Sequence, residues 1–260
     1  MPLDLPEIPD LPRHVDRLVA QIPSGYVATY GDLAAALGNR VAARWVAEYL
    51  LRHAHSESCV CHRVIRATGE PGGYFAGGPR AKLQLLAAEG LAHERGRISL
   101  APVRFHDFHS TGPLRNLLAW QDEASRHVEL IAPNSEPRWV GGVDTCYLAH
   151  NRAIAAFALF DRRDGKLTWS TTLETEVRFP YISTYLTFRE LPILLELLDQ
   201  VRAAGRMPEV LLVDGSGLLH PRRAGLACSL GVVADIATVA VAKKRLCGSP
   251  TRPDLQPGES

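Results

Sequence analysis

Val140-Gly141-Gly142-Val143-Asp144-Thr145-Cys146-Tyr147, then Ala153-Ile154-Ala155-Ala156-Phe157-Ala158-Leu159-Phe160, then a turn at Arg163-Asp164-Gly165 and a further run over 167–177, decide the fold of the second half of this chain. Each run has strand length and strand composition, so together they predict a three-stranded antiparallel meander. Downstream the pattern alternates: a helix over 188–204, a strand over 210–214, a helix around 223–234 and a strand over 238–241. Antiparallel strands followed by alternating helix and strand predict an α/β domain with a mixed sheet. Asp144 and Asp214 each end an apolar strand, and Glu190 lies near a helix start. Three acids can therefore gather at one sheet edge, where carboxylates suit Mg²⁺ and activation of a water for attack on a phosphodiester. Lys243, in Val241-Ala242-Lys243-Lys244, can stabilise the charge that develops on phosphorus. Acids at strand ends also serve as plain solubilising punctuation.

Working toward the N-terminus, Pro133 and Pro137 separate the meander from a helix predicted over 114–130. Residues 99–112 show no periodicity and read as a linker, which divides the chain into 1–98 and 113–260. In the first segment, Thr29 can cap a helix over 30–37, with Asp32 completing a capping box. Gly38 breaks that helix, and Asn39 can cap a second over 40–53. Two short helices around a Gly-containing turn fit a DNA-reading helix-turn-helix or an ordinary helical hairpin. Residues 1–12, with four prolines and three acids, read as a tail, loose or ordered on contact.

Composition narrows the class. Hydrophobic residues make up 46% and charged residues 22%, values of soluble globular protein, and no apolar run spans a membrane. Five cysteines without a C-x-x-C pair argue against a disulfide framework and for the reducing cytoplasm. Cys59 and Cys61 form a C-x-C, which no second pair or suitably spaced histidine is expected to complete as a zinc site. A net charge of +1 means that any nucleic-acid surface must be a local patch.

Cys61-His62-Arg63-Val64-Ile65, followed by Gly72-Gly73-Tyr74, places a thiol beside an imidazole. A thiol is a strong nucleophile as its thiolate, which a neighbouring base favours. Upstream stand Ile22-Pro23-Ser24-Gly25-Tyr26-Val27-Ala28-Thr29-Tyr30-Gly31-Asp32 and Ala42-Ala43-Arg44-Trp45-Val46, and downstream Lys82-Leu83-Gln84-Leu85-Leu86-Ala87-Ala88-Glu89-Gly90. Over about ninety residues the string resembles the catalytic domain of the O6-alkylguanine-DNA alkyltransferases, with its winged-helix-like helix-turn-helix. The resemblance implies a Glu89–His62–Cys61 relay that needs no cofactor and accepts one alkyl group irreversibly. It further implies that Tyr30 presses on the target phosphate, that Arg44 fills the gap left by an extruded base, and that Arg63 belongs to the DNA-binding set. The chain departs from the family at Val60, usually Pro, and at His53, where the family has a hinge Asn.

Phe179-Pro180-Tyr181-Ile182-Ser183-Thr184-Tyr185-Leu186-Thr187-Phe188-Arg189-Glu190 and Asp214-Gly215-Ser216-Gly217-Leu218-Leu219-His220-Pro221-Arg222-Arg223 resemble endonuclease V, over roughly 114–248. That implies a ribonuclease-H-like sheet, Asp144, Glu190 and Asp214 as Mg²⁺ ligands, and Lys243 and His220 supporting the phosphate and the attacking water. Pro180, Tyr181 and Ile182 would form a wedge that unstacks the damaged step. Ser183-Thr184 replaces the usual Pro-Gly, Cys228 replaces a polar residue, and the match is C-terminally short.

Together the two resemblances imply a cytoplasmic, monomeric DNA repair protein with damaged DNA as its partner. One module would take an alkyl group from O6-alkylguanine, and the other would nick DNA 3′ to deoxyinosine. The alternatives are a catalytically inactive lesion sensor and a nuclease directed at inosine in RNA.

Overall fold

The computed structural model describes residues 3–56, 58–130, 136–243 and 246–247. Lys244, Pro133 and the end of the expected second module, beyond Cys247, lie outside the described residues. The chain forms two compact units, one comprising Glu7–Ala119 with Arg178–Ser183 and the other comprising the remaining described residues.

The first unit opens with α1 (Leu11–Val19), whose start is capped by Asp10 accepting the Arg13 N–H at 3.0 Å. Pro12 is tolerated because first-turn amides have no helical acceptor to lose. Leu11, Val15, Leu18 and Val19 form its buried face. The tail expected over 1–12 is thus shorter, since Leu11 and Pro12 already belong to a helix. β1 (Ala28–Thr29) runs directly into α2 (Tyr30–Ala36), and the capping box is present. Thr29 Oγ1 accepts the Asp32 N–H at 3.1 Å, and Asp32 Oδ2 accepts the Thr29 N–H at 2.9 Å. Asn39 caps a 3₁₀ turn (Arg40–Ala42) that leads into α3 (Ala43–Arg52). The expected helix over 40–53 is therefore two pieces, with His53 extended at its C-terminal end.

A 3₁₀ turn over Cys61–Arg63 feeds β2 (Val64–Ile65), which pairs in parallel with β1. α4 (Gly78–Ala88) and a small antiparallel wing, β3 (His93–Glu94) with β4 (Arg97–Ile98), complete the winged helix-turn-helix. Val27, Ile65, Leu86, Leu91 and Ile98 form a buried cluster against which Leu100 and Val103 pack. Within 99–112, Val103 accepts the Val27 N–H at 2.9 Å and Phe105 donates to Val27 O at 2.8 Å. Between them Arg104 grips Asp32 with Nη2 and Nε, at 2.6 and 3.0 Å.

The second unit is built on a five-stranded sheet in the order β7-β6-β5-β8-β9. β5 (Trp139–Tyr147), β6 (Arg152–Asp161) and β7 (Lys166–Glu176) form the expected antiparallel meander. β8 (Val210–Asp214) and β9 (Thr238–Val241) extend it in parallel from β5. This is the ribonuclease-H-like mixed sheet. β6 alternates buried and exposed positions, as a strand with one covered face must. The cover includes α6 (Leu186–Ala203), which buries Leu191, Leu194, Leu197, Leu198 and Val201 with Phe157, Leu211 and Val213 of the sheet. Leu5 packs against this core and Asp4 O accepts the Trp120 indole N–H at 2.8 Å, so part of the N-terminal segment is ordered by contact. α5 (Pro113–Arg126) stops short of residue 130, and α7 (Leu226–Ala234) starts only after Gly225 because Arg223 has φ of 54°. No helix among the described residues is long and apolar enough to cross a membrane.

Candidate active sites

The parallel pairing of β1 and β2 brings two sequence motifs together in the first unit. Ala28 and Thr29 lie beside Val64 and Ile65, so Tyr30, at the first position of α2, sits near the turn that carries Cys61. Cys61 is 3% exposed. His62 Nε2 lies 2.8 Å from Glu89 Oε1, and Glu89 also accepts from the Arg63 guanidinium at 2.8 to 3.0 Å. Burial raises the Glu89 carboxyl, but the hydrogen bonds from Arg63 and His62 outweigh it and hold the group below the usual carboxylate range. Arg63 Nη1 donates to Ile22 O at 2.7 Å, so its guanidinium is engaged inside the unit. Arg44 lies exposed in the first turn of α3.

Sequence reasoning missed Lys82. It is 2% exposed, with Nζ donating to Val64 O, to Gly73 O at 3.3 Å and to the Tyr30 hydroxyl at 3.4 Å. Burial lowers its ammonium to about 8, and the nearby Cys61 opposes that shift. A lysine at the fifth position of α4 gives no sign in the sequence that it will point inward. Gly72 fits this cluster because φ is 71° there and an added Cβ would fall 2.8 Å from the Tyr30 hydroxyl oxygen.

Cys61 itself differs from the expectation. Burial, with Cys59 adding to it, pushes its thiol up to about 12, so its resting form is protonated. The His55 imidazole meets its sulfur, with Nδ1 3.5 Å from Sγ. His53 Nε2 lies 3.2 Å from Cys59 Sγ, and ligand atoms of His53, His55, Cys59 and Cys61 all fall within 4.8 Å of one another. Two histidines thus lie beside Cys59 and Cys61, a proximity that the spacing along the chain did not suggest. The loop after α3 folds back and brings both histidines to both thiols.

In the second unit, β5 and β8 run parallel with Val143 beside Val213, so Asp144 and Asp214 follow as neighbours at the same sheet end. α6 brings Glu190, which is buried and accepts the Tyr147 hydroxyl at 2.7 Å. Burial, with Asp144 and Asp214 adding repulsion, pushes Glu190 up to about 7. Three carboxylates thus share one electrostatic field. Their all-oxygen donor set fits a hard divalent cation, which would relieve that repulsion. Lys243, two residues past β9, donates to Asp214 Oδ2 at 2.7 Å. His220 is buried with Nε2 3.3 Å from Thr184 O and Nδ1 accepting the Arg222 N–H at 3.2 Å, so both ring nitrogens are engaged by backbone. Tyr181, in the Arg178–Ser183 segment that belongs to the first unit, is 68% exposed between partly covered Pro180 and buried Ile182.

A family model for endonuclease V matches residues 122–260, and one for the 6-O-methylguanine DNA methyltransferase DNA-binding domain matches 10–91. A bifunctional methyltransferase/endonuclease of Picrophilus torridus is 35% identical over 240 residues, 92% of this chain and 76% of that protein. Endonuclease V of Homo sapiens is 36% identical over 149 residues, 52% of this chain and 53% of that protein. A solved structure of Ciona intestinalis endonuclease V, in complex with a 24mer DNA containing an inosine followed by a ribo-adenosine, is 29% identical with a TM-score of 0.48, covering 50% of this chain and 57% of its own. This chain spans about half the length of the endonuclease V proteins it matches.

Proposed function

Because this chain belongs to the endonuclease V family, carried behind a methyltransferase DNA-binding domain as in the bifunctional methyltransferase/endonucleases, we propose that it repairs two kinds of purine damage with two separate chemistries. It is a DNA repair enzyme. The alkyltransferase half rests on Cys61 lying next to a His62 that hydrogen-bonds Glu89 at 2.8 Å. Cys61 Sγ attacks the alkyl carbon on guanine O6, an S–C bond forms, and the C–O6 bond breaks with its electron pair going to the base. His62 accepts the Cys61 proton through a water, with Glu89 stabilising the imidazolium. Lys82 places positive charge near the developing thiolate and beside the Tyr30 hydroxyl. Tyr30 presses on the target phosphate, and Arg44, exposed at the start of α3, takes the place of the extruded base.

The nuclease half rests on three acids from β5, β8 and α6 sharing one field. Asp144, Glu190 and Asp214 would hold Mg²⁺, which when bound supplies an activated water and charge neutralisation at the scissile phosphate. Lys243 moves from Asp214 to the phosphate oxygen, and His220 holds the loop that follows β8. Tyr181, anchored by buried Ile182 and stiffened by Pro180, is the unstacking wedge.

Intact-protein mass after incubation with O6-methylguanine duplex DNA tests the first half. A gain of one methyl, absent in Cys61→Ala, supports it; binding without a gain makes the module a lesion reader. Nicking 3′ to deoxyinosine with Mg²⁺, lost with chelator and in Asp144→Asn, tests the second. Matched inosine RNA measured alongside decides which nucleic acid is the substrate.

A further inference from the structure

His53-x-His55 and Cys59-x-Cys61 flank three residues and come from the loop between α3 and the nucleophile's turn. Their ligand atoms lie within 4.8 Å of one another, with His53 Nε2 to Cys59 Sγ at 3.2 Å and His55 Nδ1 to Cys61 Sγ at 3.5 Å. A tetrahedral Zn²⁺ with roughly 2.3 Å bonds to sulfur and about 2.0–2.1 Å to nitrogen separates its ligand atoms by roughly 3.3–3.8 Å. The cluster therefore needs only small side-chain rotations to close on an ion. We propose that His53, His55, Cys59 and Cys61 form a zinc site, so that the sulfur that would accept the alkyl group is also a metal ligand.

Three further observations fit a metal centre. His53 Nδ1 lies 3.0 Å from Leu50 O, where the ring donates and leaves Nε2 with its lone pair toward the thiols. A backbone carbonyl on the second nitrogen is the usual way a protein fixes a metal-binding histidine. His55 Nε2 is buried with no hydrogen-bond partner among the described residues, and the ring stacks on Phe75 with Nδ1 turned to Cys61 Sγ. Two thiols and two imidazoles are also the donor set that Zn²⁺ prefers over hard cations.

Binding releases one proton from each thiol and forms two Zn–S bonds, with no change of oxidation state. The metal then occupies a lone pair of Cys61 sulfur. Converting that sulfur to a thioether replaces an anionic ligand with a weak neutral one, so alkylation and metal retention oppose each other by linkage. That last consequence rests on the alkyltransferase reading; the site itself does not.

The test uses the full chain stripped with chelator and titrated with Co²⁺. The expected result is one equivalent bound, with intense visible bands of tetrahedral cobalt and a near-ultraviolet thiolate charge-transfer band, both displaced by Zn²⁺. Cys59→Ser and Cys61→Ser should each remove about half of the charge-transfer intensity and weaken binding at least tenfold, whereas Cys146→Ser and Cys228→Ser should change neither. X-ray absorption on the zinc-loaded wild type needs no variant and should return two sulfur and two nitrogen neighbours. Absence of a thiolate band, an undiminished band in Cys61→Ser, or an oxygen-only first shell would each overturn the site, whatever the outcome with alkylated DNA.

Discussion

At the scale of single residues, Glu190 and Glu89, whose titrations shift in opposite directions, make opposite predictions. Glu190 is raised to about 7, so the folded state binds its proton more tightly than the unfolded chain, where a glutamate titrates near ~4.3. Its ionisation therefore costs nothing below about pH 4, destabilises progressively from there, and weighs fully above about pH 7. Glu190→Gln should stabilise the metal-free protein at pH 8 by up to about 3 kcal/mol, leave it unchanged at pH 4, and abolish nicking. Urea unfolding at the two pH values, in chelator, reads the difference. Glu89 runs the other way. Its folded value lies below that of the unfolded chain, so its contribution is present above about pH 4.3 and is lost as pH falls through the folded value. Glu89→Gln leaves Arg63 buried without its anion and should cost about 3 kcal/mol at pH 7, a gap that narrows in acid. Glu89 and Glu190 were recognisable in the sequence through their motifs. Lys82 was not, because burial of a lysine depends on carbonyls at Val64 and Gly73 that only folding brings together.

At the scale of elements, the start of α2 carries most of the local information. Thr29 and Asp32 were readable as a capping box because both partners lie within one turn, and Thr29→Ala should cost about 1 kcal/mol in thermal or chemical unfolding. Asp32→Asn should cost more, about 2 kcal/mol, because it also unpairs Arg104. A double-mutant cycle with Arg104→Ala should show coupling well above the few tenths of a kcal/mol expected of independent sites; additive costs would place Arg104 outside the cap. Gly72→Ala combines a left-handed backbone with a contact on the Tyr30 hydroxyl. It should cost more than about 1 kcal/mol and slow methyl transfer through displaced Tyr30. β5 to β9 were legible to within a residue or two because their runs are strongly patterned. α1 was obscured by the prolines and acids around it, although Asp10 and Pro12 are both ordinary helix-start residues.

At the scale of the whole molecule, each unit has its own buried cluster and its own chemical groups. Cys61→Ala should leave deoxyinosine nicking unchanged within error, and Asp144→Asn should leave methyl transfer unchanged. Loss of both activities in either variant would show that the chemistries are interdependent. Mg²⁺ at a hundredfold above its dissociation constant should add about 2.7 kcal/mol to the stability of the sheet unit and nothing in Asp144→Asn.

The sequence by itself determined the two families, the strand order along the chain, the cap of α2 and the strand-end positions of Asp144 and Asp214, because each is written in residues close together or in strand ends that a parallel sheet must align. It did not determine which imidazole faces Cys61. The neighbour in sequence, His62, turns to Glu89, while His55, six residues away, turns to the sulfur. Adjacent residues on a turn point in different directions, so proximity along the chain says little about contact between side chains. Only the folded loop, by returning His53 and His55 to Cys59 and Cys61, decided that the thiol sits in a cluster of two thiols and two imidazoles.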